Sequence, residues 1–430
     1  MRFKNLWLCL FMLPVVVTAQ VQFSSLGSML QYADKNGAAA KQAQLQPQIA
    51  RQDVQLTASG LYPKVNAFAT GDYYPIIISQ VVPAQVVGGP PGTYQKVQFG
   101  LPYVFTAGAE FSMPVVNLEK WTQLSKAKAQ YTQAEWSSKA ALENYHIQLI
   151  QAYYQVLVTR EVLRLNDENR AVADELLRIM EERNKAGVLN PADYNRSINL
   201  QLDVRASGIS YRKALQQALS SLQALLTSKD TLLLSDSLNG FDWPALPMPA
   251  DITTRPAWQE AAMKQRVAEL SFRESSKGAY PRLSLNGRYA YNAQSELSGR
   301  SNVEFDVANI GLRLDIPLTQ GNYYRSLRHK SRLQLENAKL DAQRTNAILN
   351  QQHSDWFQQY MAAYNKKDVT DRKVVAASDN LRIARLNLKE GVMEFDEFNN
   401  IFMEYNRARM DQLQNLADGI LYHLLSTQNF

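Results

Sequence analysis

The residues with the clearest chemical content are two carboxylates, each set at the same distance from a glycine. Asp193 follows Gly187 by six residues, and Glu397 follows Gly391 by six. A carboxylate so placed can cap a helix that restarts after the glycine, where unpaired N–H groups favour negative charge. Nothing else in the chain offers covalent or acid–base chemistry. His146, His329, His353 and His423 are scattered, with no histidine at i+4 and no nearby cysteine, so metal-ligand spacing is missing. There is no phosphate-cradling glycine loop and no Gly-x-Ser-x-Gly elbow. The pattern therefore points to no enzyme, no metal and no cofactor.

The first residues read as a leader. Arg2 and Lys4, the apolar run Leu6 to Val17 and the small-residue site Val17-Thr18-Ala19 predict a secretory signal over 1–19, with the mature chain starting near Gln20. The single cysteine, Cys9, lies in that leader, so neither a disulfide nor thiolate chemistry is expected. The formal net charge of +6 shrinks further once Arg2 and Lys4 are removed, too mild to imply nucleic acid as a partner. Arg325, Arg328, His329, Lys330 and Arg332 do cluster. In a secreted chain they read better as a solvated collar near lipid headgroups than as a nucleic-acid patch. No later run reaches the eighteen or so apolar residues of a transmembrane helix. Contact with a membrane would need β-strands, a surface segment or a spanning partner.

The elements that must hold the two carboxylates come in duplicate. Ser59-Gly60-Leu61-Tyr62-Pro63-Lys64-Val65 opens one alternating stretch, and Lys277-Gly278-Ala279-Tyr280-Pro281-Arg282-Leu283 opens another. Gly108-Ala109-Glu110-Phe111-Ser112-Met113-Pro114-Val115 is answered by Gly311-Leu312-Arg313-Leu314-Asp315-Ile316-Pro317-Leu318. Such a repeat carries a whole supersecondary unit. A first repeat is expected over 20–229, a linker with Pro244, Pro247 and Pro249 over 230–255, and a second repeat over 256–430.

Within the first repeat, an Ala/Gln-rich helix over 25–60 is followed by strands 64–74 and 97–113. The second strand has Val97, Phe99, Leu101, Tyr103, Phe105, Ala107, Ala109, Phe111 and Met113 on one face. Its length suits a tilted membrane-spanning strand. Pro75 to Lys96, with Gly88-Gly89-Pro90-Pro91-Gly92, reads as an exposed loop. The second repeat gives strands 282–292 and 303–317, with a bulge expected near Ala308-Asn309 where the apolar face changes parity. An apolar face against a polar one suits a barrel wall around water. Tyr73, Tyr74, Tyr94, Tyr103, Tyr289 and Tyr291 near strand ends suit an interfacial girdle.

Long helices follow each pair of strands: 117–186 returning as 191–226, and 320–390 returning as 395–425. Asn117 to Ala186 and Asn322 to Glu390 contain neither proline nor glycine. Leu142, Tyr145, Leu149, Ala152 and Val156 step by three and four, as do Leu215, Leu219, Leu222 and Leu226, and Leu381, Ala384 and Leu388. These are narrow coiled-coil seams. A helix of about seventy residues runs on the order of 100 Å, longer than any globular core requires. Four strands cannot close a barrel with a lumen, and an open sheet edge in lipid is costly. The sheet is therefore expected to be shared with copies of itself, three of which would give twelve strands.

The chain resembles the TolC-like outer membrane factors, the efflux channels of Gram-negative bacteria. The resemblance spans essentially the whole mature chain. It rests on the duplicated Tyr-Pro strand openings, the strand-ending Pro114 and Pro317, and the Gly–acid tips. It implies a mostly α protein with a membrane β-barrel portion: a homotrimer with one shared twelve-stranded barrel in the outer membrane lipid and a coiled-coil tunnel in the periplasm. It further implies a passive exit duct for multidrug efflux or type I secretion. Such a duct docks to a periplasmic adaptor (a membrane fusion protein) and an inner-membrane pump of RND, ABC or MFS type. Gly187, Val188, Leu189 and Asp193, with Gly391, Val392 and Met393, match the tips that adaptors contact. Glu397 and Asn400 match two acidic pore-constriction positions, the second of them neutral here. Met393 stands where relatives carry a latching Arg, and Leu388 where they carry its Tyr partner, so that closed-state bridge does not carry over. The alternative from another class is a periplasmic coiled-coil adaptor or structural interaction protein. An adaptor, however, has one hairpin where this chain has two.

Overall fold

The computed structural model describes residues 20–238, 243–244, 251–296 and 302–427. The expected leader at 1–19 lies outside them. In chain order the elements are β1 (Gln20–Phe23), α1 (Leu26–Asn36), α2 (Ala38–Ser59), β2 (Lys64–Tyr73), β3 (Ser79–Pro83), β4 (Tyr94–Gln98) and β5 (Tyr103–Val116). There follow α3 (Leu118–Lys185), α4 (Pro191–Leu226), β6 (Thr231–Leu234) and α5 (Pro256–Lys277). The chain ends with β7 (Arg282–Ser295), β8 (Asn302–Asp315), α6 (Tyr323–Glu390) and α7 (Phe395–Thr427). The long helices α3 and α6 have 68 residues each.

Two compact units emerge, and each draws on both repeats. The sheet unit holds residues 47–135 and 260–343; the helical unit holds residues up to Gln46, 136–259 and 344–430.

In the sheet unit, four antiparallel strands run in the order β2-β5-β7-β8. Cross-strand partners share a face, so the register sorts the side chains. Val65 and Ala67, Phe111 and Met113, Leu285 and Tyr289, and Ile310, Leu312 and Leu314 fall on one side. Asn66, Glu110, Asn286, Arg288 and Arg313 fall on the other. Polar pairs line that second face: Thr106 Oγ1 donates to Asn292 Oδ1 at 2.9 Å, and Arg313 meets Asp315 at 3.0 Å. Gly108 is required by packing, since a Cβ there would come within 2.1 Å of the Tyr289 carbonyl oxygen.

Four details differ from the sequence expectation. The stretch 97–113 is not one strand. Gly100 adopts φ +104°, a left-handed conformation, and Pro102 follows it, so β4 ends at Gln98 and β5 starts at Tyr103. Pro75–Lys96 is not only loop, because β3 and β4 pair within it as a small hairpin joined by a 3₁₀ turn at Ala84–Val87. Pro114 does not end its strand. It stands beyond the last β2 partner, Ser112, and beside a register shift before Val116, two settings in which a strand tolerates proline. Finally, β8 carries no bulge at Ala308-Asn309, since its pairing with β7 is unbroken from Asn302 to Asp315. The parity change is instead borne by side chains. Glu304 and Asp306 share the apolar face, where Tyr291 and Tyr289 hydrogen-bond to them, and Val303, Phe305 and Val307 take the polar face.

The helical unit is built on the seams. Leu149, Tyr153, Val156 and Leu157 of α3 pack with Leu222 and Leu226 of α4 and Met29, Leu30 and Ala33 of α1. The Ala/Gln-rich segment divides at Gly37, where a Cβ would meet the Tyr145 hydroxyl at 2.4 Å. The expected linker is partly structured. Its strand β6 pairs parallel with β1, and Arg255, only 3% exposed, is held by Glu143 at 2.7 Å. Arg160 donates to the carbonyls of Leu234 and Asp236, and the Tyr153 hydroxyl donates to Asp236 at 2.8 Å. Burial first, and that carboxylate second, push Tyr153 well above the usual tyrosine range.

Candidate functional site

The two Gly–acid motifs form the turns that reverse the long helices. At the first, Gly187 takes φ +73° after α3; its N–H donates to the Asn184 carbonyl at 3.1 Å and the Val188 N–H to the Arg183 carbonyl at 3.2 Å. At the second, Gly391 takes φ +81° after α6; its N–H donates to the Leu388 carbonyl at 3.2 Å and the Val392 N–H to the Asn387 carbonyl at 2.9 Å. Both are Schellman turns, in which a left-handed residue lets its own N–H and that of the next residue satisfy the last helical carbonyls. Glycine is needed because a Cβ in that conformation costs about 1–2 kcal/mol.

The helices restart differently. Asn190 caps α4, accepting from the Ala192 N–H at 3.0 Å, and Pro191 fills the first helical position. At α7 the first turn brings Asp396 and Glu397, with Phe395 buried beneath them.

Val188 and Val392 lie at the tips, 75% and 80% exposed. Their neighbours Leu189 and Met393 turn inward onto a core formed by Leu176 and Met180 of α3, Leu381 and Leu388 of α6, and Phe398 and Phe402 of α7. Leu388 and Met393 are therefore packing residues. Asp193 sits in the first turn of α4, half-buried, and is gripped by Arg196 at 3.2 Å. Glu397 and Asn400 lie about one turn apart on α7 and both are exposed. Asp193 and Glu397 are not brought together by a shared partner. Asp193 is tied instead to Asp396.

That tie is the feature that sequence reasoning missed. One guanidinium nitrogen of Arg196 reaches Asp193 at 3.2 Å and Asp396 at 2.6 Å, joining the return helices of the two repeats. Near the tips, two further contacts cross between repeats: Arg385 pairs with Glu175, and Arg183 donates to the Lys389 carbonyl at 3.4 Å. The spacing of Asp193 and Arg196 was a visible signal for a local i,i+3 pair. Nothing in it marks the partner on the other repeat. Above the tie, a cleft of about 540 Å³ opens among α3, α4 and α7, lined by Asn169, Asp203, Asn399, Phe402 and Met410. Among the described residues, no group of histidine, cysteine and carboxylate side chains could hold a metal ion, and no helix is long and apolar enough to cross a membrane.

Three comparisons bear on this arrangement. Residues 29–228 match the family model described as outer membrane efflux protein. The outer membrane protein TolC of Vibrio cholerae serotype O1 is 23% identical over 233 residues, covering 52% of this chain and 53% of that one. The match thus spans about half the length of the curated relative. Among solved structures, CusC superposes with a TM-score of 0.79 at 15% identity, covering 94% of this chain and 91% of the other. The Campylobacter jejuni CmeC outer membrane channel gives 0.77 at 16% identity, covering 94% and 85%. The Neisseria gonorrhoeae MtrE outer membrane channel, in its open state, gives 0.71 at 16%, covering 92% and 88%.

Proposed function

We propose that this chain, whose residues 29–228 match the outer membrane efflux protein model, is a passive export duct that exists only as a trimer. The family sets it in the outer membrane, with the helical part in the periplasm. The observation that carries the trimer is the sheet with two open edges. Among the described residues its order leaves β2 and β8 unpaired on one side each, and every position of β8 is exposed. Unpaired backbone groups in lipid cost several kcal/mol each. The β8 edge of one copy meeting the β2 edge of the next is a head-to-tail contact, which closes into a ring. Three copies supply twelve strands, enough to surround water.

The tips are the moving part. A periplasmic adaptor grips the exposed Val188 and Val392, with Gly187, Leu189, Asp193, Gly391 and Met393 shaping what it meets. The Arg196 tie takes over from the absent Arg–Tyr latch in holding the hairpins together. Glu397, once per copy, forms an acidic ring with Asn400 beside it and favours cations. An inner-membrane pump supplies the drive. The two-edged sheet speaks against the adaptor alternative, which has no need of a membrane-grade wall.

Cell fractionation with heat-modifiable migration on a gel tests the trimer: a monomer in the soluble fraction would end the reading. In planar bilayers, Glu397→Ala should lower cation preference. Unchanged conductance and unchanged selectivity would remove Glu397 from the constriction.

A further inference from the structure

In the sheet unit, each strand of the four-stranded sheet meets a helix at the same end of the sheet, as the register requires. Each of those four junctions carries an exposed aromatic side chain: Tyr62 between α2 and β2, Trp121 in the first turn of α3, Tyr280 between α5 and β7, and Tyr323 at the start of α6. Amphipathic rings collect where an apolar wall gives way to polar headgroups. The apolar face runs to this boundary through Leu314 and on through Ile316 and Leu318, both exposed.

Charge at this level is not evenly matched. Lys126 is paired with Glu274 at 2.5 Å, Arg282 with Glu119 at 2.8 Å, and Arg313 with Asp315 at 3.0 Å. Arg325, Arg328, His329, Lys330 and Arg332, in the first turns of α6, are all exposed. No carboxylate pairs with any of them among the described residues. Arg328 stacks over Phe272 at 5.8 Å, which leaves its N–H groups free to donate outward. Arg325, His329 and Lys330 border an open groove along α6 together with the amide side chains of Asn322, Gln334 and Asn337. Guanidinium and ammonium donors beside amides, set just past an aromatic level, match a phosphodiester oxygen pair.

We propose that this collar binds the phosphate of an anionic phospholipid in the periplasm-facing leaflet. The occupant follows from charge complementarity and from continuity with the apolar face, which supplies the acyl-chain side of the same site. The inference rests on the membrane reading of the sheet and adds to it a lipid preference with named donors.

The test uses the full chain reconstituted in phosphatidylethanolamine vesicles with and without phosphatidylglycerol, with retained lipid identified by native mass spectrometry after extraction. Wild type should retain phosphatidylglycerol above its bulk proportion. Each cation removed, in the series Arg325→Gln, Arg328→Gln, Lys330→Gln and Arg332→Gln, should lower that enrichment about fivefold, while the oligomer persists. The Arg325→Lys variant should keep most of it. Enrichment unchanged across the series overturns the proposal. So does loss of the oligomer with lipid preference intact, because the cations would then be facing a neighbouring copy. If the chain does not enter either vesicle, the membrane reading itself fails, which is a separate outcome.

Discussion

At Gly187 the turn between α3 and α4 has open space around the α-carbon, whereas at Gly391 an added Cβ would lie 2.6 Å from the Arg183 guanidinium. The hydrogen bonds of the two turns are otherwise the same. The first hairpin restarts its helix with local capping from Asn190 and Pro191. The second places Phe395 under its first turn and leans on an arginine from the opposite repeat. Duplicated sequence thus gave one backbone solution, and divergence went into who supports it: the first tip is closed by its own residues, the second by the first.

The strongest way to break this contrast is to remove what both tips share. Phe398→Ala should destabilise the tip region by about 3–5 kcal/mol, as expected for a fully buried aromatic, and loosen both hairpins together. Hydrogen exchange across 176–204 and 381–405 would show it. Loss of protection confined to the second hairpin would mean the core is not shared. Next come the glycines. Gly187→Ala and Gly391→Ala should each cost about 1–2 kcal/mol through left-handed strain alone. Gly391→Ala should cost more, because Arg183 must give up its bond to Lys389. In an Arg183→Ala background that excess should vanish; an excess that survives would place its cause elsewhere.

Arg196→Ala is a smaller perturbation to stability, about 0.2–1 kcal/mol for a half-exposed pair. Its effect on the duct should be plainer. Removing it should raise basal conductance in planar bilayers, and added salt should imitate it in wild type. Equal conductance with and without Arg196 would take the tie out of gating. The weakest effect lies away from the tips. Burial holds His353 and His423 below the ordinary histidine value, with Arg255 also acting on His353. A histidine of lowered pKa binds its proton more readily when unfolded. Stability should therefore fall as pH drops through the ordinary value of about 6.5 and level off below the lowered one. His353→Gln should flatten that slope in thermal unfolding followed across pH.

Much of the scaffold was legible because it is written locally. Gly187 and Gly391 each follow a long helical stretch, where a left-handed residue is what ends a helix, and a stretch free of proline and glycine from 117 to 186 can run on as helix. The strand 97–113 misled for an equally local reason. Its odd positions stay apolar through Phe99 and Leu101, so the alternation concealed the break that Gly100 and Pro102 make. The bulge expected at Ala308-Asn309 failed because β8 is an edge strand in the single chain. With one neighbour and both faces open, an unbroken hydrogen-bond ladder outweighs keeping Glu304 and Asp306 off the apolar face.

By itself, then, the sequence determined the periods, the turns and the two-fold plan, since each depends on neighbours a few positions apart. The tertiary structure alone decided that Arg196 reaches Asp396, that Arg183 backs Gly391 and that Leu388 and Met393 are core. Those contacts join residues from different repeats. Their geometry depends on how two long helical pairs settle against each other, which no short stretch of chain encodes.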